Sequence, residues 1–352
     1  MSRLNTLTNT YLLPKVTDTV LRENPLTEKI LSNPEKWRGE QIKKSIKVTK
    51  NTNGTSFAGF QTLPSQAVNT RQYLLFPSKF YQIDVTIPLT DVAVNMTDDD
   101  RVMDLAEAEM TSSGEDMADS IGAIFQLAGT GNGSLDFNGL QNIVDDGTLA
   151  PTYGGLSRTT FPTLDSTNTS ASGAISLQKM STLYNAITDG TIMPSMGECD
   201  RSTYSYYEQL IEPKNRLYVT VPEVRKGNKE GLAGTAGFTT LTYKGFGIIP
   251  DRKVPFNYAG AGASAGQLYF LREEDLEFRA IEKFPESEPV KFMEKDFEDN
   301  DYENIKGLGF HWTGWVKPVN QLAYVGRVVL AGEFWSKNPR RHGRLYNIQG
   351  IS

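Results

Sequence analysis

Small and apolar residues recur at steps of three and four through Val102, Ala106, Met110, Ser113, Met117, Ile121, Ile124 and Ala128. That spacing paints one stripe along a helix and predicts a long helix from Asp98 to Ala128. Asp98, Asp99 and Asp100 stand where carboxylates cap unpaired N–H groups and favour the positive end of the helix dipole. At 1.5 Å per residue the helix reaches roughly 45 Å, and Ser112, Ser113 and Gly114 predict a bend at its middle. Upstream the period changes to two. Ile42, Ile46 and Val48 lie in an alternating run that breaks at Asn51–Gly54, and a second extended run, Gln72–Phe76 followed by Phe80–Leu89, returns from it. This pattern predicts a long β-hairpin with a wide polar tip, and no neighbouring helix pattern covers it.

Before the hairpin, Pro14, Pro25 and Pro34 favour extended pieces and short helices. Leu12, Leu13, Val16, Val20, Leu21, Leu26, Ile30, Leu31 and Trp37 are too many apolar residues for a solvated tail, so residues 1–40 read as an arm that covers a surface elsewhere. After the long helix, Ser176–Thr188 reads as an amphipathic helix and Thr203–Ile211 as a shorter one. Arg216–Val221, Thr239–Pro250, Gln267–Leu271, Leu276–Ile281, Phe310–Val319 and Leu322–Phe334 read as strands. Ala259–Gly266 is a flexible turn by composition, and Glu282–Asn304 is strongly acidic.

One segment, Asn138 to Ser166, is irregular without being a linker. Gly154 and Gly155 admit backbone angles that a Cβ forbids, and Pro151 and Pro162 stiffen the chain around them. Leu140, Ile143, Leu149, Tyr153 and Phe161 supply packing anchors that a flexible linker lacks. An ordered loop of this kind commonly carries function, and Arg158 is expected to meet a carboxylate or backbone carbonyls there.

Composition narrows the classes. A 352-residue chain with 22% charged and 38% apolar residues folds and buries a sizeable core. No apolar run spans a bilayer, no signal-like apolar core opens the sequence, and one cysteine, Cys199, rules out an internal disulfide framework. The net charge of −6 hides two opposed blocks. Residues 1–80 hold twelve Lys or Arg against five acids, a net +7, and residues 98–128 hold nine acids against Arg101 alone, a net −8.

Candidate chemistry is sparse. Two histidines and one cysteine supply no ligand-spacing motif for a metal, and no nucleophile-elbow context supports a hydrolase. Catalytic, cofactor and metal residues are therefore none. Gly129–Ser134, G-T-G-N-G-S, closes a helix rather than opening one, so it reads as a C-terminal cap, not a phosphate loop. His311 reads as a strand packing residue. Arg340, Arg341, His342 and Arg344 read as a basic surface tail that fits contact with DNA phosphates, contact with a neighbour's acids, or plain solvation.

Several stretches in order resemble tailed-phage major capsid proteins with the Hong Kong 97 type of fold: N-G-L-Q-N-I-V (Asn138–Val144), Y-G-G-L-S-R-T-T-F-P (Tyr153–Pro162), Y-K-G-F-G-I-I-P-D (Tyr243–Asp251), Q-L-Y-F-L-R (Gln267–Arg272) and F-W-S-K-N-P-R-R-H-G-R-L-Y (Phe334–Tyr346). Thr163-Leu164 departs from the aromatic often found soon after that proline. The resemblance implies an α+β fold: an N-terminal arm over 1–40, an extended hairpin loop over 41–80, a peripheral domain with a long spine helix from 81–135 and 286–321, and an axial domain from 136–285 and 322–352. It implies a structural virion protein that assembles with itself into hexamers and pentamers of an icosahedral capsid around double-stranded DNA. Portal, separate scaffolding and decoration proteins are its implied partners, DNA contact is non-specific, no membrane is involved, and assembly takes place in the host bacterial cytoplasm. In such a shell the hairpin of one subunit lies over the peripheral domain of the next, bringing Lys43, Lys44, Lys47, Lys50 or Arg71 towards Asp104, Glu107, Glu109, Glu115, Asp116 or Asp119. Some relatives weld subunits by a Lys–Asn isopeptide bond, and the lysines near the hairpin invite that idea, but the buried acid it needs has no sequence signature. A same-fold cellular nanocompartment enclosing cargo protein and an enzyme with an unrecognised site are the alternatives.

Overall fold

The computed structural model describes residues 24–31, 34–63, 66–95, 99–211, 241–256, 265–281, 288–289 and 310–351. The anchors Leu12, Leu13, Val20 and Leu21, the strand expected over Arg216–Val221, and most of Ala259–Gly266 and Glu282–Asn304 lie outside the described residues.

Strand β15 (Ala323–Ser336) organises the first sheet. Its first ten residues pair antiparallel with β4 (Lys79–Pro88), from Ala323 opposite Pro88 to Gly332 opposite Lys79. β12 (Leu276–Ile281) and β14 (Phe310–Trp312) follow one another along its other edge, with β1 (Glu35–Trp37) parallel to β12 and β13 (Glu288–Pro289) beyond β14. From Val328 onward β15 is buried on both faces, so its sequence is mostly apolar rather than alternating, with Glu333 and Ser336 as buried polar residues. After β4 the short α2 (Leu89–Asn95) leads into α3 (Asp99–Gln126), which packs on β4. The 28 residues of α3 form one uninterrupted helix, so Ser112-Ser113-Gly114 does not break it. Ala106, Met110, Met117, Ala118, Ile121, Ile124 and Phe125 bury its stripe, and Phe125 joins Phe137, Phe278 and Phe334 in an aromatic cluster with ring centroids 5.4–5.9 Å apart.

The arm is corrected from Asn24 on. Helix α1 (Pro25–Leu31) buries Leu26, Ile30 and Leu31 in the same core as α3, and Asn24 Nδ2 donates to the Ala118 carbonyl at 3.0 Å. Gly122 makes this close approach possible, because a Cβ there would stand 2.4 Å from the Asn24 amide. These residues satisfy their apolar spacing on their own subunit, since the stripe of α3 is within reach.

The second sheet runs β7 (Thr167–Ile175), β16 (Gly343–Ile351), β11 (Gly266–Leu271), β8 (Met196–Cys199), β10 (Phe246–Pro250), β9 (Leu241–Tyr243). Helices α5 (Leu177–Ile187) and α6 (Arg201–Ile211) cover it, closing a second core around Leu183, Tyr207, Tyr243, Phe246 and Phe270. Ser176 caps α5 by accepting from Lys179 N at 3.3 Å, and Asp200 caps α6 by accepting from Thr203 N at 3.0 Å, which starts that helix at Arg201 rather than at the expected Thr203. Sheet membership divides the chain differently from the expected domains. β15 pairs with β4 and β12 pairs with β15, so residues 276–281 and 323–336 belong with the first sheet rather than with an axial unit.

Candidate assembly surface

The hairpin consists of β2 (Gln41–Lys47) and β3 (Arg71–Pro77), paired from Gln41 opposite Pro77 to Lys47 opposite Arg71. β4 does not return along it. Past Ser78, whose N–H bonds the Glu40 carbonyl, the chain leaves the hairpin and enters the first sheet. Period-2 burial gives the hairpin two unlike faces. Ile42, Leu74 and Phe76 are buried, whereas Tyr73 and Leu75 are 53% and 41% exposed. The tip carries Phe57, Phe60 and Leu63, all exposed, Phe60 fully so.

The buried face lands on the segment singled out from sequence, so the hairpin is covered after all, by a loop rather than a helix. Phe76 meets the Tyr153 ring edge-on at 5.3 Å, Leu75 N donates to the Gly154 carbonyl at 2.9 Å, and Thr163 Oγ1 donates to the Val48 carbonyl at 3.1 Å. Gly154 and Gly155 sit at the turn between β5 (Thr152–Tyr153) and β6 (Leu156–Ser157), with φ of 54° and 77°. At Gly154 a Cβ would stand 2.7 Å from Leu74 Cδ2, so that glycine serves both the turn and the close approach of the hairpin.

Arg158 fixes this loop from inside. Its guanidinium, 1% exposed, donates to the carbonyls of Asp145 and Asn142, each at 2.6 Å, and to Leu164, and lies 5.2 Å from the Tyr153 ring centroid. Burial lowers its pKa, opposed by Tyr153 and Asp145. Tyr153 Oη donates to the Ser336 carbonyl at 3.0 Å and accepts from Ser336 N at 2.7 Å, tying the loop to the end of β15, and burial pushes the phenol well above its usual range. The partner that sequence reasoning missed is Asp145, at the end of the short helix α4 (Leu140–Ile143). Fully buried, it accepts from the backbone N–H of Gly147, Leu149 and Ala150 at 2.8–3.1 Å. The D-D-G-T sequence over Asp145–Thr148 was its one available signal, an aspartate ready to bond its own turn.

The two charge blocks lie apart within the subunit. Lys43, Lys47, Lys50 and Arg71 are exposed and Lys44 is half-buried, all on or beside β2 and β3, while Glu109, Glu115, Asp116 and Asp119 are exposed on α3. Among the described residues no ion pair joins the two sets. Asp119 pairs with Lys253 of its own chain, and that ammonium lowers its pKa. The side chains of Asp104 and Glu107 lie outside the described residues.

The basic surface tail near the C-terminus is overturned at His342 and Arg344, while Arg340 remains exposed. β16 lies between β7 and β11, so His342 is fully buried and Arg344 is 3% exposed. Arg340 pairs with Asp189 at 3.0 Å and Arg341 with Asp275 at 3.3 Å. His342 does touch a serine, but the wrong way round for hydrolysis. Its Nδ1 accepts from Arg272 N at 3.2 Å, so Nε2 carries the proton and donates to Ser336 Oγ at 2.7 Å. Burial holds its pKa down to about 3, and its only basic nitrogen is occupied by a backbone N–H. His311 is buried in β14 with Nε2 3.1 Å from the Ile281 carbonyl, as a packing residue should be. Among the described residues no group of His, Cys, Asp and Glu could hold a metal ion, and no helix is long and apolar enough to cross a membrane.

Two sheets, one long helix packed on the first, and a separate two-stranded hairpin make the α+β architecture of the Hong Kong 97 type. Solved structures bear out that likeness. The chain is similar to the capsid subunit of cyanophage A-1(L) over 93% of both chains, with a TM-score of 0.62 and 11% identity. It is similar to the capsid subunit of a native GTA particle, with 89% of this chain and 86% of that one covered, a TM-score of 0.51 and 10% identity. The SrpI encapsulin of Synechococcus elongatus PCC 7942 matches over 79% and 78%, with a TM-score of 0.51 and 12% identity. No protein-family sequence model matches the chain, and no curated protein sequence matches it significantly.

Proposed function

We propose that the protein is a non-enzymatic virion shell subunit that assembles with itself into hexamers and pentamers around double-stranded DNA. The observation that carries this reading is the hairpin. Its inner face is locked to its own subunit through Tyr153 and Gly154, while its outer face and tip hold Phe57, Phe60, Leu63, Tyr73 and Leu75 out to solvent. Apolar side chains gathered on a projecting element mark a surface that another chain covers. A second copy is the partner, because the exposed acids of α3 oppose the charge of Lys43, Lys44, Lys47, Lys50 and Arg71. Apolar burial supplies most of the adhesion and the ion pairs set register, since an exposed pair contributes about 0–1 kcal/mol. By sequence the proposed pairing extends to Asp104 and Glu107.

Portal, scaffolding and decoration proteins complete this reading as partners, with assembly in the bacterial cytoplasm. Electron microscopy of the expressed protein tests it: closed icosahedral particles are expected, and a monodisperse monomer at all concentrations overturns it. The second reading, a nanocompartment shell, is favoured by the fold match to an encapsulin. Purified particles rich in nucleic acid support the virion, and particles holding a cargo enzyme support the compartment.

A further inference from the structure

We infer that Glu198 and Asp251 hold one proton between them, and that this shared proton fastens the end of α3 to the second sheet. Glu198 lies on β8 opposite Ile249 of β10 and Tyr269 of β11, and Asp251 follows directly on β10 with its N–H on the Cys199 carbonyl at 2.8 Å. Gln126, the last residue of α3, donates its Nε2 to Glu198 Oε1 at 2.5 Å. All three side chains are buried, from 1% to 4% exposed. Three of their oxygens, Glu198 Oε2, Asp251 Oδ2 and Gln126 Oε1, have no hydrogen-bond partner. Two neighbouring carboxylates in a dry site do not both ionise, and one proton turns two orphan acceptors into an O–H···O bond.

Among the described residues no other charge does that work. Asp251 Oδ1 accepts from Lys253 N at 2.7 Å, but the Lys253 ammonium is drawn to Asp119 on the outside of α3, and Arg252 is exposed. Asp200, next along β8, spends its carboxylate on Thr203 and Gln267. The Cys199 thiol is kept protonated by burial and by the three acids around it, and Tyr269 Oη donates to Gln267. Burial and the Asp251 charge push the Glu198 carboxyl well above the usual carboxylate range, in accord with the geometry. Removing the proton places two like charges in the dry joint, a repulsion that the Gln126 N–H bond to Glu198, strengthened by the charge, offsets only in part.

The inference concerns one subunit and stands whether or not subunits assemble. Its test is infrared spectroscopy of the purified full-length chain in a Glu333→Gln background, which removes the buried acid that burial raises to about 7. A protonated-carboxyl band is expected at neutral pH, and it should vanish in Glu198→Gln. Amide exchange in Ile121–Gln126, corrected for intrinsic rates, should then rise roughly tenfold between about pH 6 and about pH 9, and stay flat in Glu198→Gln, whose amide donates permanently to Asp251. Identical spectra for the two chains, or equal exchange increases in both, overturn the inference. Should Glu198→Gln fail to fold, the unsubstituted protein decides alone, because a band absent at neutral pH, or exchange that rises without the band disappearing, also overturns it.

Discussion

Arg158 is a cation placed where water cannot reach it, and it stays there because two stretches of chain, residues 142–145 and Leu164, offer it carbonyl oxygens. Removing it leaves those acceptors unpaired and a void beside Tyr153. Arg158→Ala should cost about 3 kcal/mol or more by chemical denaturation, and Arg158→Lys should recover only part, because an ammonium cannot span the same carbonyls. Glu333 makes a different prediction. It lies 3.6 Å from the Lys79 ammonium and accepts from Asn138 N at 2.7 Å and Phe334 N at 3.1 Å. Burial nevertheless outweighs these attractions and raises its pKa from 4.5 to about 7. The folded chain therefore binds more protons than the unfolded one between pH 4.5 and about 7, so the group's stabilisation is complete below 4.5 and is lost as pH rises through that window. The loss is on the order of 3 kcal/mol, and Glu333→Gln should flatten that part of a plot of stability against pH.

The elements meet at a few glycines. Gly139 carries the chain back across the end of α3, where a Cβ would come within 2.2 Å of the Leu127 carbonyl. Gly154 and Gly155 differ in kind. Both have positive φ, yet a Cβ at Gly155 meets nothing within 4 Å, while at Gly154 it meets Leu74 and Phe76. Gly155→Ala should cost only its backbone strain, about 1 kcal/mol. Gly154→Val should lift the hairpin off the loop, and the double Val variant should impair folding or assembly. Limited proteolysis of residues 48–70 reads the release directly. Cleavage no faster in Gly154→Val than in the unsubstituted chain would show that the loop does not hold the hairpin.

The whole molecule brings the charge blocks into question between copies, since among the described residues they do not pair within one. Assembly, followed by sedimentation, should weaken as salt shortens the Debye length from roughly 10 Å to 3 Å. Reversing Glu109, Glu115 and Asp116 to Lys should block particle formation, and reversing Lys43, Lys44, Lys47 and Lys50 as well should partly restore it. Asp119 is best left alone, because its partner is Lys253 of the same chain. A double reversal that rescues nothing means the two faces do not meet.

The sequence by itself determined the elements whose signal is local. The stripe of α3, the amphipathic spacing of α5, the alternation of β2 and β3, and the turn glycines at 154 and 155 all follow from spacing and backbone sterics, which need no distant partner. The resemblance added the order of the parts. Tertiary structure alone decided which strands share a sheet and which charges go inside. β15 joined β4 across more than two hundred residues, and β7, polar and lacking alternation, became a strand because β16 offered it an edge. His342 and Arg344 look like a solvated basic tail until β16 is set between two other strands, and Asp145, Glu198, Asp251 and Glu333 look like surface acids until the layers close over them. Burial belongs to the packed assembly of elements, and an ionisable residue carries no mark in the chain of whether water will reach it.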